Sequence, residues 1–174
     1  MNTIKYNLLL ADDDTDDCIF FQEVLDELGI AATLTIVNDG VELMHLLSKK
    51  TDTLPDVLFL DLNMPRKNGF ECLLEIKLND KLKRLPVVIF STSLDMQVVN
   101  LLYEKGAHYY IRKPGEFSKL KKVIHEALTI TSQTKSAQPV KEKFILQPWR
   151  NMKGQNPHSN RQFPVGGGEM GKLI

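Results

Sequence analysis

Two runs in this chain, Val57-Leu58-Phe59-Leu60 and Val87-Val88-Ile89-Phe90, are apolar at every position. A strand with one wet face alternates apolar and polar residues, so unbroken runs of this length point to strands buried on both faces. The stretches between them have helical spacing instead. Residues 15–28 place Phe21, Leu25 and Leu28 on one side and end at Gly29, as a helix stopped by glycine does. Residues 116–129 do the same with Phe117, Leu120, Ile124 and Leu128. The pattern predicts strands over 4–11, 32–37, 56–61, 86–91 and 108–112. It predicts helices over 15–28, 41–48, 69–78, 95–104 and 116–129. Five strand–helix units with right-handed crossovers make an α/β fold, a doubly wound (βα)5 parallel sheet with helices on both faces.

The pattern stops near Thr131. The 44 residues beyond 130 hold four Pro and five Gly, as many of each as the 130 before them. Charge divides at the same place. Residues 1–130 carry 15 Lys and Arg against 20 Asp and Glu, a net of −5; residues 131–174 carry 7 against 2, a net of +5. The expected organisation is a folded domain over 1–130 and a flexible, basic Pro/Gly-rich tail over 131–174, dispensable for folding and phosphorylation. Within that tail, Phe144-Ile145-Leu146 with Trp149 is the one segment with enough apolar surface to dock. The glycine run 166–168 has none.

No apolar run approaches the ~18 residues of a membrane span, and no leader-like segment opens the chain. Cys18 and Cys72 are the only cysteines, both in helical stretches. Reduced, partly buried thiols suit a reducing compartment, so the expected location is cytoplasmic, with no membrane partner.

Ligands of doubly wound sheets sit at the carboxyl ends of the strands. There the first strand offers Asp12 and Asp13, the third Asp61, the fourth Ser91 and the fifth Lys113, which Pro114 follows. Clustered carboxylates without His or Cys favour a hard divalent ion, above all Mg2+. Such a cation offsets their mutual repulsion and leaves one carboxylate free to act as a nucleophile toward phosphorus. A lysine and a hydroxyl are the groups that then neutralise phosphoryl oxygens.

The order Asp-Asp, Asp, Ser, Lys-Pro resembles the receiver domains of two-component response regulators. Residues 61–69, Asp-Leu-Asn-Met-Pro-Arg-Lys-Asn-Gly, look like that family's phosphoacceptor loop, and Lys113-Pro114 after Tyr110-Ile111-Arg112 like its conserved end. With Ser91-Thr92-Ser93, the loop further resembles single-domain receivers that serve phytochrome-like kinases. The resemblance covers about residues 4–130. It implies a flavodoxin-like receiver fold with a five-stranded sheet ordered 2-1-3-4-5. It implies phosphorylation of Asp61 by a sensor histidine kinase or a phosphotransfer protein. It implies Mg2+ held by Asp13 directly, by Asp12 partly through water, by Asp61 and by the backbone carbonyl of Asn63. Ser91 and Lys113 would bind the phosphoryl group, Tyr110 would swing inward as Ser91 moves, and the Lys113–Pro114 bond would be cis. Such a protein is no enzyme on a separate substrate but a regulator that takes part in its own phosphorylation and dephosphorylation. Its output passes through the 95–129 surface to a downstream protein, or the phosphate is handed onward, and the protein acts as a monomer or a homodimer. The chain departs from the family at Ser91, where Thr is commoner, at Thr92, where Ala or Gly is frequent, and at Gly115, where Phe is frequent.

Competing readings stand beside these. Asp16 and Asp17 are explained as acids favouring a helix N-terminus. Tyr110 fits a buried strand tyrosine as well as a switch. His45, His108 and His125 show no metal spacing and are expected at the surface. A haloacid-dehalogenase-type phosphohydrolase would need an acid two residues after the nucleophile, where Asn63 stands. A receiver that no longer accepts phosphate would not need the intact acidic set. The tail offers no helix-turn-helix, so direct DNA binding is not expected.

Overall fold

The computed structural model describes residues 5–49 and 53–148. Five strand–helix units follow one another: β1 (Tyr6–Ala11), α1 (Thr15–Glu27), β2 (Ala32–Val37), α2 (Gly40–Lys49), β3 (Val57–Leu60), α3 (Gly69–Leu78), β4 (Val87–Ser91), α4 (Met96–Glu104), β5 (Tyr109–Arg112) and α5 (Phe117–Thr134). A short strand, β6 (Ile145–Leu146), then completes a parallel sheet of order β2-β1-β3-β4-β5-β6. The expected order is present, with one strand more than expected.

The unbroken apolar strands are explained by two cores, one on each face. Alternate residues point to opposite sides of a strand. Leu9, Leu58, Leu60, Val87 and Ile89 face one way and meet Leu43, Leu47, Leu73, Ile76 and Leu102 from α2, α3 and α4. Leu8, Leu10, Phe59, Val88, Phe90 and Ile111 face the other way and meet Phe21, Leu25, Val123 and Ile124 from α1 and α5. Phe21 stands edge-on to Phe59, with ring centroids 4.8 Å apart.

Local signals set the helix starts. Asp14 caps α1 by accepting from the N–H groups of Asp16 and Asp17, Asp95 caps α4, and Asn68 and Glu71 form a reciprocal box at α3. The chain reverses out of β1 toward β2, whereas β3 lies on the other side of β1. This change of direction opens a crevice at the carboxyl ends of β1 and β3.

The limit expected at residue 130 falls inside α5, which runs to Thr134. The chain beyond it is fastened to the body. His108 Nε2 meets the Ser136 carbonyl at 3.0 Å, Tyr103 donates its hydroxyl to the Pro139 carbonyl at 3.0 Å, and Gln138 Nε2 donates to the carbonyls of Tyr103 and Ala107. β6 then satisfies the edge of β5, pairing Ile145 with Tyr110 and Leu146 with Ile111, while Phe144 is 1% exposed. An unpaired strand edge and two apolar side chains supply the reason. Phe144, Ile145 and Leu146 therefore dock as their composition suggests; Trp149 and the 166–168 glycines lie outside the described residues.

His108 is also a correction, being 3% exposed rather than at the surface. Its Nδ1 accepts from the Val87 N–H at 3.1 Å while Nε2 faces Ser136, so both ring nitrogens are partnered in the neutral form. Burial, with Lys77 nearby, pushes its pKa down to about 4.

Candidate functional site

Sheet register brings the site together. Asp12 continues β1 by donating its N–H to the Val37 carbonyl at 3.0 Å, and Asp61 continues β3 by donating to the Ala11 carbonyl at 2.9 Å. The two acids thus leave neighbouring strands side by side. On the other half, Lys113 donates its N–H to the Ser91 carbonyl at 2.8 Å. Carboxylate oxygens of Asp12, Asp13 and Asp61 lie within 4.8 Å of one another. Asp12 is fully buried, Asp61 is 6% exposed and Asp13 faces solvent.

The loop after Asp61 depends on Gly69. Its N–H donates to the Leu62 carbonyl at 2.9 Å, and a Cβ there would stand 2.1 Å from the Asp61 backbone oxygen. Only glycine lets α3 begin this close to the strand end. Arg66 adopts φ 64° and pairs with Asp39, which ties the outer loop to the start of α2. Asn63 is exposed, and its N–H reaches Asp61 Oδ1 at 3.4 Å.

Lys113 holds the centre. Its side chain is 7% exposed, and Nζ donates to Asp12 Oδ2 at 2.7 Å, lies 3.7 Å from Asp61 Oδ2 and sits 5.1 Å above the Phe90 ring. Burial works against the charged ammonium, but the bonds to Asp12 and Asp17 outweigh it and raise the lysine pKa. Burial is also the main influence on both carboxyls. It raises Asp12 against the pull of Lys113, and it pushes Asp61 up to about 6, Lys113 opposing and Asp12 adding.

Asp17 is the residue that sequence reasoning misplaced. Its Oδ2 accepts from Lys113 Nζ at 2.7 Å. A helix N-terminal acid it remains, but it also lies four and eight residues before Phe21 and Leu25, on the buried stripe of α1. An acid at the head of an apolar stripe is the signal that was available.

Ser91 is fully buried, and its Oγ accepts from the Ser93 N–H at 3.4 Å. Tyr110 is 1% exposed and already points inward. Among the described residues no peptide bond is cis, so Lys113–Pro114 is trans, contrary to expectation. The trans form is favoured by roughly 0.5–1 kcal/mol at X–Pro bonds, and it delivers the lysine to the acids without difficulty. Thr92 is exposed, and a Cβ at Gly115 would meet open space. A cavity of about 260 Å3 lined by Asp17, Phe20, Phe90, Lys113, Gly115 and Phe117 lies beside it.

The donor set is all oxygen, part buried and part open to solvent. Asp12, Asp17 and Asp61 surround a single ammonium, and Asp13 adds an exposed carboxylate beside Asp12 and Asp61. Uncompensated carboxylates of this kind fit a hard divalent ion.

A parallel sheet with an acidic crevice and a strand-end lysine defines a phosphoacceptor-type signalling module. Comparison with known proteins agrees. The sequence model for the response regulator receiver domain matches residues 8–125. Response regulator Rcp1 from Synechocystis sp. is 36% identical over 121 residues, 67% of this chain and 82% of that one. Two solved structures, the phosphorylated cyanobacterial phytochrome response regulator RcpA and the Mn2+-bound form of Rcp1, each align with a TM-score of 0.67. They are 31% and 33% identical and cover 78% of this chain and 99% of theirs. The chain belongs to the response regulator receiver domain family and is a response regulator of two-component signalling.

Proposed function

We propose that Asp61 accepts a phosphoryl group from a sensor histidine kinase or a phosphotransfer protein. An Asp61 oxygen forms the new bond to phosphorus while the donor's bond to phosphorus breaks, its electron pair leaving with the donor. The observation that carries this reading is the place of the Lys113 ammonium, bonded to buried Asp12 and 3.7 Å from Asp61 Oδ2. There it can neutralise charge gathering on the phosphoryl oxygens. Ser91, buried at the end of β4, would add its hydroxyl to the groups that bind those oxygens. Asp12, Asp13, Asp61 and the Asn63 carbonyl would hold Mg2+, which supplies further charge neutralisation at the phosphoryl oxygens when bound. The Mn2+-bound form of Rcp1 and the phosphorylated form of RcpA support both points.

The protein works as a phosphoacceptor rather than on a separate substrate, and it acts in the cytoplasm through its α4–β5–α5 surface on a protein target. No helix among the described residues is long and apolar enough to cross a membrane. The test is labelling with acetyl phosphate and Mg2+, followed by mapping of the modified residue. Label on Asp61, absent from Asp61→Asn, is expected; equal labelling of that variant would overturn the assignment.

A further inference from the structure

Lys113 is shared between two elements. Its ammonium bonds Asp12 Oδ2 and Asp17 Oδ2 equally, at 2.7 Å, and lies a full ångström farther from Asp61 Oδ2, at 3.7 Å. The Phe90 ring beneath it closes another direction. Asp12 is rigidly placed: it is fully buried and its other oxygen accepts from the Asp14 N–H at 3.0 Å. Asp17 stands on α1 with its side chain 30% exposed. Of the two holds on the ammonium, the one to Asp17 is the more easily released, because water can replace the lysine there.

We propose that Asp17 is a positioning residue for Lys113, competing with Asp61 for the ammonium and so slowing phosphoryl transfer to Asp61. The inference rests on Asp61 being the phosphoacceptor. Phosphorylation replaces the single charge of the Asp61 carboxylate by close to two on the phosphoryl oxygens. Charge neutralisation there improves as the ammonium moves from Asp17 toward the new oxygens. The carboxylate of Asp17 opposes that movement and adds its own negative charge beside an anionic donor. Since Asp17 belongs to α1 and Lys113 follows β5, the exchange also loosens the tie between these elements.

The experiment compares Asp17→Asn, Asp17→Glu and Asp16→Asn in the full chain. With acetyl phosphate, the Asp61 oxygen bonds to phosphorus and acetate leaves with the electrons of the broken P–O bond. Asp17→Asn should be labelled roughly two- to fivefold faster than wild type, the size expected for losing one partly exposed ion pair. Asp17→Glu keeps the charge and should return toward the wild-type rate. Asp16→Asn, an exposed neighbour with no tie to Lys113, should match wild type, which separates positioning from a general change of charge. A second readout needs no phosphoryl donor: in 15N-lysine-labelled protein, the Lys113 ammonium signal should shift in Asp17→Asn and stay in Asp16→Asn. An unchanged Lys113 signal and rate in Asp17→Asn, or equal acceleration in Asp16→Asn, would overturn the proposal. Loss of the acceptor assignment would appear separately, as undiminished labelling of Asp61→Asn.

Discussion

The phenol of Tyr110 donates to the backbone carbonyl of Ser93 over 2.5 Å, tying the middle of β5 to the loop that follows Ser91. The same tyrosine donates its backbone N–H to the Phe144 carbonyl at 2.9 Å. One residue therefore touches both the loop that follows β4 and the residue that leads into β6.

Replacing Ser91 by Ala should leave acetyl-phosphate labelling possible but weaken its effect on α4. Phosphorylation is a local charge event that needs a coupled element to be felt at a distance. Amide exchange across residues 96–104, with and without a phosphoryl mimic, measures the coupling. Equal exchange changes in wild type and Ser91→Ala would refute the role given to this hydroxyl.

Asp61 makes stability depend on pH. Its folded pKa, about 6, lies above the ordinary 3.8. The folded state therefore holds the proton more tightly, and the stability this confers is complete below about pH 4 and lost as pH rises through about 6. Two pKa units correspond to at most roughly 3 kcal/mol. In metal-free buffer, Asp61→Asn should melt above wild type at pH 7, with the gap closing toward pH 4. A constant gap across that range would show that burial of the charge is not its cause.

Divalent ion binding should act in the opposite sense at neutral pH. An ion that binds only the folded state stabilises it by about 2.7 kcal/mol at a hundredfold excess over its dissociation constant. Mg2+ should raise the melting temperature, chelator should reverse this, and Asp13→Ala should abolish the response. Asp13 is the suitable probe because it is exposed and makes no part of the Lys113 cluster. An intact Mg2+ shift in Asp13→Ala would remove Asp13 from the site.

The sheet was legible because its strands are short, wholly apolar and punctuated by acids. The acids, Ser91 and Lys113 were legible because strand ends are where such sheets bind. Asp17 was not, since a charge in the first turn of a helix already has a sufficient explanation. Its bond to Lys113 joins residues 96 apart in sequence, a distance that no local pattern encodes. His108 was misplaced, and the close approach at Gly69 went unread, for a related reason: a buried imidazole and a backbone crossing are both set by a partner elsewhere in the chain. β6 is two residues long. Periodicity cannot be read from two residues, and only the apolar content of 144–146 hinted at docking.

The position of the domain's end follows from the same segment. Phe144 is 1% exposed and Leu146 3%, and Phe144 packs edge-on against Tyr103 of α4, with centroids 5.2 Å apart. Cutting after Ile130 removes these side chains, the last turn of α5 and the Ser136 carbonyl that partners His108. Burial of two large apolar side chains contributes about 3–6 kcal/mol before any hydrogen bond is counted. That exceeds what removal of a loose tail would cost. The folded unit is therefore proposed to extend at least through Leu146 rather than to end at 130. Chains ending at Pro148 should melt like the full protein and label equally with acetyl phosphate. Chains ending at Ile130 should melt well below both, and Phe144→Ala should lose roughly 3–5 kcal/mol, the usual cost of emptying a buried phenylalanine site. Matching melting temperatures for the 1–130 and 1–148 chains would show that β6 contributes nothing to the fold.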